Sequence, residues 1–437
     1  MRRVQRLLLY FAIITMPFQD CILGKTPLGY LGSSLSSIPL AMHGVVGIFI
    51  WSVRRQLTIS RRALLWSLYI PCISLIYLLA WGPVSHDGSV VYKGFSGTIV
   101  LFLWLYTVFS VDYTPSKGLK RATYIAFFLL IVGVVMCDSQ IAGLAALGHS
   151  QIFHITPDQN NGRWRGFSNE PSMFSATVLS LGIASAYLSE RKIYRNIFVI
   201  LTFCLLLLSQ SKGGILIIGL SGFVVVFLKR PSFLRLITYL SLCMMATSVA
   251  VYFVIQQATA INLFQATGTF ATRISLAIWT LIVVLHHPLG VGLSGFYEAF
   301  RFYLPPAMDW LSRVSPFPLD FTEVQEYVNG NMATVPLDTK CFFFEYVAMF
   351  GLPFLVAYLV FSKKVLEALL ARKQDLLMVG FVFLMIGMST YINGATHYAG
   401  FYLTGLAYRQ YLLFKKENRA KYQVRLDRTT LHSSTTA

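Results

Sequence analysis

Charge is what this chain has least of. Asp, Glu, Lys and Arg make up 12% of its 437 residues, against 56% hydrophobic residues. That excludes an ordinary soluble domain, in which about a quarter of the residues are charged. Acids are the scarcer half, 18 against 36 Lys and Arg, and the net charge is +18. In a soluble chain such an excess points to nucleic acid. Here the location of the charge has to be settled first. Cysteine is sparse too. Cys21, Cys72, Cys137, Cys204 and Cys243 lie in or at the ends of apolar runs, and Cys341 opens another. These spacings fit neither a disulfide framework nor a zinc site, so the cysteines read as small apolar packing residues. The adjacent pair His286-His287 does not share one helical face, which speaks against a metal pair. No internal repeat relates the two halves of the chain.

What is present is a series of apolar runs of membrane length. They predict an all-α polytopic membrane protein with about 12 transmembrane helices. The expected spans are 7–23, 38–53, 63–81, 97–111, 122–137, 171–188, 194–208, 214–228, 236–255, 341–361, 376–392 and 398–414. The N-terminus, with Arg2, Arg3 and Arg6 ahead of the first run, imitates a secretory signal. No small-residue cleavage pattern follows it, so it reads as an uncleaved first helix. Alternate connections hold 27 of the 36 basic residues, among them Arg54, Arg55, Lys117, Lys120, Arg191, Lys229, Lys363 and the tail. By the positive-inside rule these connections and both termini are cytoplasmic. The basic excess is then a signal of topology and leaves nothing for a nucleic-acid site to explain.

The chain divides accordingly. Residues 1–255 carry transmembrane helices one to nine with a periplasmic loop at 138–170. Residues 256–340 form one large periplasmic loop with an amphipathic helix. Residues 341–414 carry helices ten to twelve, and 415–437 form a polar cytoplasmic tail. Cytoplasmic connections are short and leave no room for a catalytic domain, so chemistry belongs to the outer face.

The densest outer stretch is Gly162-Arg163-Trp164-Arg165-Gly166-Phe167-Ser168-Asn169-Glu170-Pro171-Ser172. Guanidinium groups pair bidentately with phosphate, and a helix N-terminus favours anions. Pro171 suits the first helical turn, and Ser168 or Asn169 could cap it. Arg163 and Arg165 are therefore candidate ligands of a diphosphate, although interfacial arginines also snorkel to lipid headgroups. Glu170 is either a general base for a sugar hydroxyl or an ion-pair partner. Lys212, in the turn Ser209-Gln210-Ser211-Lys212-Gly213-Gly214, could add a point charge or be a snorkelling lysine in a plain glycine turn. Arg273 opens an apolar stretch that ends at His286-His287-Pro288, short for a span and read as an amphipathic or re-entrant helix at the outer surface. The segment 296–339 is rich in aromatics and acids, including Tyr303, Trp310, Glu298 and Glu326. It suits sugar rings and hydroxyls, or forms an interfacial aromatic belt under a folded lid. Glu345, one turn inside the tenth span, and His397, at the outer end of the twelfth, are further candidates.

In order, these features are Arg163-x-x-Gly166-Phe167 before a helix, Ser209-x-Ser211-Lys212-Gly213 between two helices, Arg273 six residues ahead of Trp279, Pro288-Leu289-Gly290-Val291-Gly292 before a large outer loop, and a closing helix with Glu345 and Gly351-Leu352. The pattern resembles the bacterial O-antigen polymerase and O-antigen ligase superfamily (Wzy and WaaL types). The resemblance implies a metal-independent, multi-pass glycosyltransferase of the bacterial inner membrane that needs no cofactor. Its substrates would be glycans on undecaprenyl diphosphate, with membrane lipid and a chain-length regulator as further partners and no nucleic acid. Arg163, Lys212 and Arg273 match the family's basic positions, Lys212 standing where arginine is usual. The ligases carry a histidine late in the large outer loop, and residues 296–340 contain none. That favours an O-antigen polymerase, with Glu170 or Glu326 as base and Trp310 and Tyr303 against the glycan. A ligase acting on the lipid A core, or a flippase, is the alternative; a transporter would be expected to show related halves and broken helices near the midplane.

Overall fold

The computed structural model describes residues 2–25, 30–54, 61–81, 99, 101–138, 163–168, 170–229, 260–315, 319–329, 342–392 and 397–434. No strand occurs among them. The main helices are α1 (Arg2–Ile14), α2 (Ser37–Arg54), α3 (Arg61–Trp81), α4 (101–109), α5 (Lys117–Cys137), α6 (Pro171–Leu188), α7 (Lys192–Leu208) and α8 (Lys212–Leu228). They continue as α9 (Ala260–His286), α10 (Gly292–Val314), α11 (Thr322–Asn329), α12 (Phe342–Ala371), α13 (Asp375–Met388) and α14 (Tyr398–Ser434). Helices α5, α6 and α12 are long and apolar enough to cross a membrane, and shorter apolar helices include Gly213–Leu228, Ala271–His286 and Asp375–Met388. The protein is a helical membrane protein. The expected span at 236–255 lies outside the described residues.

Helix α6 is the centre of the bundle. Sixteen of its 18 residues are buried, and α5, α7, α8, α13 and α14 all pack on it. Its residues are small, which lets neighbours approach. Several of its hydroxyls turn back on their own helix, as with Thr177 Oγ1 on the Met173 carbonyl at 3.0 Å and Ser180 Oγ on Ala176 at 2.7 Å, although Ser185 Oγ has no partner among the described residues. A hydroxyl satisfied in this way can sit in an apolar interior without an unmet donor.

Two ends of the bundle differ in chemistry. One end holds the ion pairs Lys120–Glu190 at 2.6 Å, Lys229–Asp375 at 2.5 Å and Arg372–Glu417. All six residues lie in connections or tail that the charge pattern assigns to one side. Exposed pairs contribute at most about 1 kcal/mol each, so they mark an end more than they hold it. The N-termini of α6 and α8 lie at the other end.

Two elements depart from the pattern read along the chain. Helix α9 begins at Ala260, so Arg273 sits in mid-helix instead of at its start. Nothing in the residues just ahead of Arg273 breaks a helix, and propagation costs little once a helix has nucleated. Helix α12 is not one straight span. Gly351 has φ 62° and ψ −156°, a conformation open essentially to glycine alone. The Phe343 and Tyr358 rings lie 5.1 Å apart and Tyr346 and Phe354 6.0 Å apart. Residues fifteen apart in an unbroken helix stand about 22 Å apart, so the two legs fold toward each other. The vertex interlocks with the turn between α9 and α10. Leu352 N donates to Pro288 O at 2.8 Å, Val291 N to Ala348 O at 3.1 Å, and the Tyr69 hydroxyl of α3 to Leu289 O at 2.8 Å. A Cβ on Gly351 would lie 2.2 Å from Pro288 O, and one on Gly290 2.3 Å from Met349 O. Glu345 is buried on the first leg of this bend.

Candidate functional site

The stretch that leads into α6 is held by its backbone. Asp138, at the C-terminal cap of α5, accepts from Arg165 N at 3.2 Å and Gly166 N at 2.8 Å. Gly166 takes φ +53°, and a Cβ there would meet the Phe174 ring at 3.0 Å. Phe167 is buried and stacks on Phe18 with ring centroids 4.6 Å apart, while its carbonyl accepts from Gln19 N at 3.2 Å. Ser168 Oγ donates to Gln19 Oε1 at 3.1 Å, and Gln19 Nε2 donates to Thr177 at 2.6 Å. The loop is thus fastened to α5, to the segment after α1, and to α6. This splits the two arginines: Arg165 is 2% exposed and faces inward, whereas Arg163 is exposed.

Pro171 opens α6 as expected from its fixed φ. The cap position is Glu170, not Ser168 or Asn169, and its side chain makes no cap hydrogen bond. The Glu170 carboxylate instead accepts from Ser172 Oγ at 3.0 Å. One turn on, Ser175 Oγ donates to Ser172 O at 2.6 Å and lies 3.2 Å from Ser211 Oγ. Ser211 caps α8 by accepting from Gly214 N at 3.3 Å. A Cβ on Gly214 would lie 2.7 Å from Ser175 Oγ. The first turns of α6 and α8 therefore touch, with Lys212 as the first residue of α8. Each terminus presents unpaired backbone N–H groups and about half a positive charge.

Tyr391, after α13, completes the cluster. Its ring lies against Gly213, 3.6 Å from where a Cβ would stand. Its phenol lies within electrostatic reach of Ser175 and of the Arg273 charge. Arg273 reaches this neighbourhood from α9. It is only partly exposed. Its buried Nε and the Tyr391 hydroxyl both lack a hydrogen-bond partner among the described residues. No carboxylate among the described residues pairs with Arg273. A partly buried cation with no carboxylate beside it is a place where an anion is favoured.

The structure thus brings together Glu170, Ser172, Ser175, the Lys212 turn, Tyr391 and, through Tyr391, Arg273. The other expected site residues lie elsewhere. Tyr303, on α10, gives its hydroxyl to the His287 ring, Nε2 to Oη 2.9 Å, and His287 Nδ1 meets the Tyr77 hydroxyl of α3 at 2.9 Å. Burial, and then His286 beside it, lower the His287 pKa. Trp310 is exposed on α10. Glu326 belongs to α11, which packs on α9 and α10. Glu298, also on α10, is 6% exposed, and burial raises its carboxyl above the usual range while Arg301 pulls the other way. His397 is fully buried at the start of α14, with neither ring nitrogen hydrogen-bonded among the described residues. Asp138, Ser175 and Tyr391 were not legible as site residues. Ser175 and Tyr391 sit in apolar runs, and Asp138 stands 27 residues from Arg165 with nothing in the spacing to join them.

Comparison with known proteins adds an independent line. Residues 197–318 match the family model Wzy_C, described as O-antigen ligase. The match takes in Lys212, Arg273, Tyr303 and Trp310. The chain is also 23% identical over 404 residues, 92% of its own length and 91% of the relative's, to the "Uncharacterized 49.5 kDa protein in cps region" of Klebsiella pneumoniae. Both findings bear out the resemblance to the O-antigen polymerase and ligase superfamily, whose members handle lipid-linked oligosaccharides in membranes.

Proposed function

We propose that this protein is a polysaccharide polymerase. It moves a growing glycan from undecaprenyl diphosphate onto the non-reducing sugar of a new lipid-linked repeat unit. The observation that carries the reading is the partly buried Arg273 guanidinium, its Nε unbonded and no carboxylate beside it among the described residues, within electrostatic reach of Tyr391, whose ring lies against the first turn of α8. Fixed positive charge of this kind suits a diphosphate, and it acts most strongly on the charge that develops as the diphosphate leaves. Arg273, Lys212 and Arg163 bind its oxygens in this reading. Arg165 positions the loop from its buried place beside Asp138. Metal-independent transfer then needs a base for the acceptor hydroxyl. Glu170, whose carboxylate stands at the mouth of α6, and Glu326, on α11 against α9, are the candidates. Trp310 offers an exposed ring to the glycan, while Tyr303 reaches it only if it leaves His287.

The polymerase is favoured over the ligase because residues 296–340 hold no histidine. The relative named for a cps region also supports a surface-polysaccharide role. The proposal further places the protein in the inner membrane, with about 12 spans, both termini cytoplasmic, the site at the periplasmic face and 256–340 as the outer loop. A chain-length regulator is its natural partner.

Deletion of the gene followed by gel analysis of surface glycan tests this. A core bearing a single repeat unit, with the ladder lost, is the expected result. Free lipid-linked polymer beside a bare core identifies a ligase instead. Repeat units held on the cytoplasmic leaflet identify a flippase.

A further inference from the structure

A second feature lies away from that site. A cavity of about 360 Å³ opens inside the bend of α12, walled also by α3, α4, α13 and α14. At about 30 Å³ per water-sized group it has room for roughly a dozen, the scale of an acyl chain. Aromatic rings, Trp104, Phe354 and Phe401 among them, and aliphatic side chains make the wall. Three residues of its wall carry a buried polar atom with no hydrogen-bond partner among the described residues: Trp104 Nε1, Tyr358 Oη and Ser362 Oγ. Trp104 and Ser362 are each 2% exposed. Many buried hydroxyls of the bundle bond back one turn, as Thr123 does to Leu119 at 2.8 Å and Ser221 to Ile217 at 2.6 Å, although Ser185 and Ser275, away from the cavity, do not. Nor does Ser362. Lys364 stands at the rim, exposed. Its neighbour Lys363 approaches Glu367 at 4.0 Å, whereas Lys364 has no acidic partner among the described residues.

Along α12 these groups run cation, hydroxyl, phenol, aromatic ring: Lys364, Ser362, Tyr358, Phe354. The ten steps from Phe354 to Lys364 span about 15 Å of helix. All the polar groups can donate, so the fitting ligand is rich in acceptors. A glycerophospholipid has this order: phosphate, ester oxygens, then hydrocarbon. A polyisoprenyl chain carries no acceptor and would leave all three orphaned groups unmet. We propose that the cavity is a binding site for an anionic glycerophospholipid. Its phosphate lies on Lys364, its ester oxygens on Ser362 and Tyr358, and one acyl chain among Trp104, Phe354 and Phe401. The site is at the basic end of α12 and does not rest on the polymerase reading.

Trp104 provides the test. The full-length protein is placed in phosphatidylcholine nanodiscs doped with phosphatidylglycerol brominated on its acyl chains, or with phosphatidylcholine brominated in the same way. The fluorescence difference between wild type and Trp104→Phe isolates the Trp104 signal. Half-quenching is expected at about a fivefold lower mole fraction of the brominated phosphatidylglycerol, the preference one lysine confers at a membrane surface. Lys364→Ala, an exposed change, should remove the preference, and Ala357→Leu, which narrows the cavity, should protect Trp104 from both lipids. Should Trp104→Phe fail to fold, mass spectrometry of wild type released from the nanodiscs reads the same preference as retained phosphatidylglycerol. Equal quenching by the two lipids, or a preference that survives Lys364→Ala, overturns the proposal. So does relief of quenching by undecaprenyl phosphate at a lower ratio than by unbrominated phosphatidylglycerol, which gives the cavity to a prenyl chain.

Discussion

Arg273→Met separates a ligand-binding arginine from a structural one, because the two roles predict opposite signs for stability. The wild-type side chain keeps a buried Nε without a partner and has no carboxylate beside it among the described residues. An unmet buried donor costs about 1–3 kcal/mol. Arg273 is partly exposed, so solvent recovers much of the charge term and about 1 kcal/mol is the working figure. Methionine keeps the length and apolar character of the stem and removes the donor. The variant should therefore be slightly more stable than wild type. Unfolding entropy grows with chain length, so in a chain of this size the gain is roughly 1 °C in Tm. Transfer, by contrast, should fall by about 10²–10³-fold, the cost of one lost donor at a developing anion. The assays are a melt of the detergent-purified protein followed by intrinsic fluorescence, and the glycan ladder in a deletion strain complemented with the variant. A variant that melts several degrees lower while keeping its ladder would refute the reasoning, since Arg273 would then be holding the fold.

Other perturbations address the supports of the site. Asp138→Ala removes the acceptor of Arg165 N and Gly166 N; hydrogen bonds to a charged group contribute about 1.5–3 kcal/mol, so a lower Tm and a lost ladder are expected together. Gly351→Ala forces a Cβ to within 2.2 Å of Pro288 O in a glycine-only conformation; a loss of about 3 kcal/mol or more, read as reduced expression and melting temperature, follows, and a neutral result would mean that α12 is not bent there. Glu170→Gln should reduce the ladder while leaving the melt within about 1 °C, because the side chain makes no cap hydrogen bond; unchanged glycan would remove Glu170 as the base. Burial raises the Glu298 carboxyl above its unfolded value, so the native state holds the proton more tightly. Stability is full below the unfolded pKa and falls as pH rises through the folded one. Wild type should melt lower at pH 8 than at pH 5 relative to Glu298→Gln, and identical pH profiles would show that Glu298 carries no such linkage.

Much of the architecture is legible without coordinates. Hydrocarbon offers the backbone no hydrogen bonds, so long apolar runs have to be helices, and α5, α6 and the run containing α12 stand where hydropathy puts them. The basic residues Lys120, Lys229 and Arg372 do meet acids at one end of the bundle. Pro171 also starts a helix, because its fixed φ acts within a single turn. All of these are local effects, and local effects can be read in chain order.

What only the tertiary structure decided is which groups meet. Gly166 and Phe167 look like parts of an arginine motif, yet their work is to seat a loop on Asp138, Phe18 and Gln19. That seating buries Arg165 and leaves Arg163 exposed, a difference two residues of spacing cannot show. Tyr391 and Ser175 are unremarked members of apolar runs until α8 and α13 pack on α6. The bend at Gly351 depends on Pro288 and Gly290, some sixty residues earlier, and converts a reading of one straight span into two legs around a cavity. Burial and the lack of a partner are properties of a position surrounded by other segments. Composition and periodicity carry no record of those contacts, so the anion-binding site proposed at Arg273 and the lipid cavity proposed beside α12 emerge only when the helices are packed.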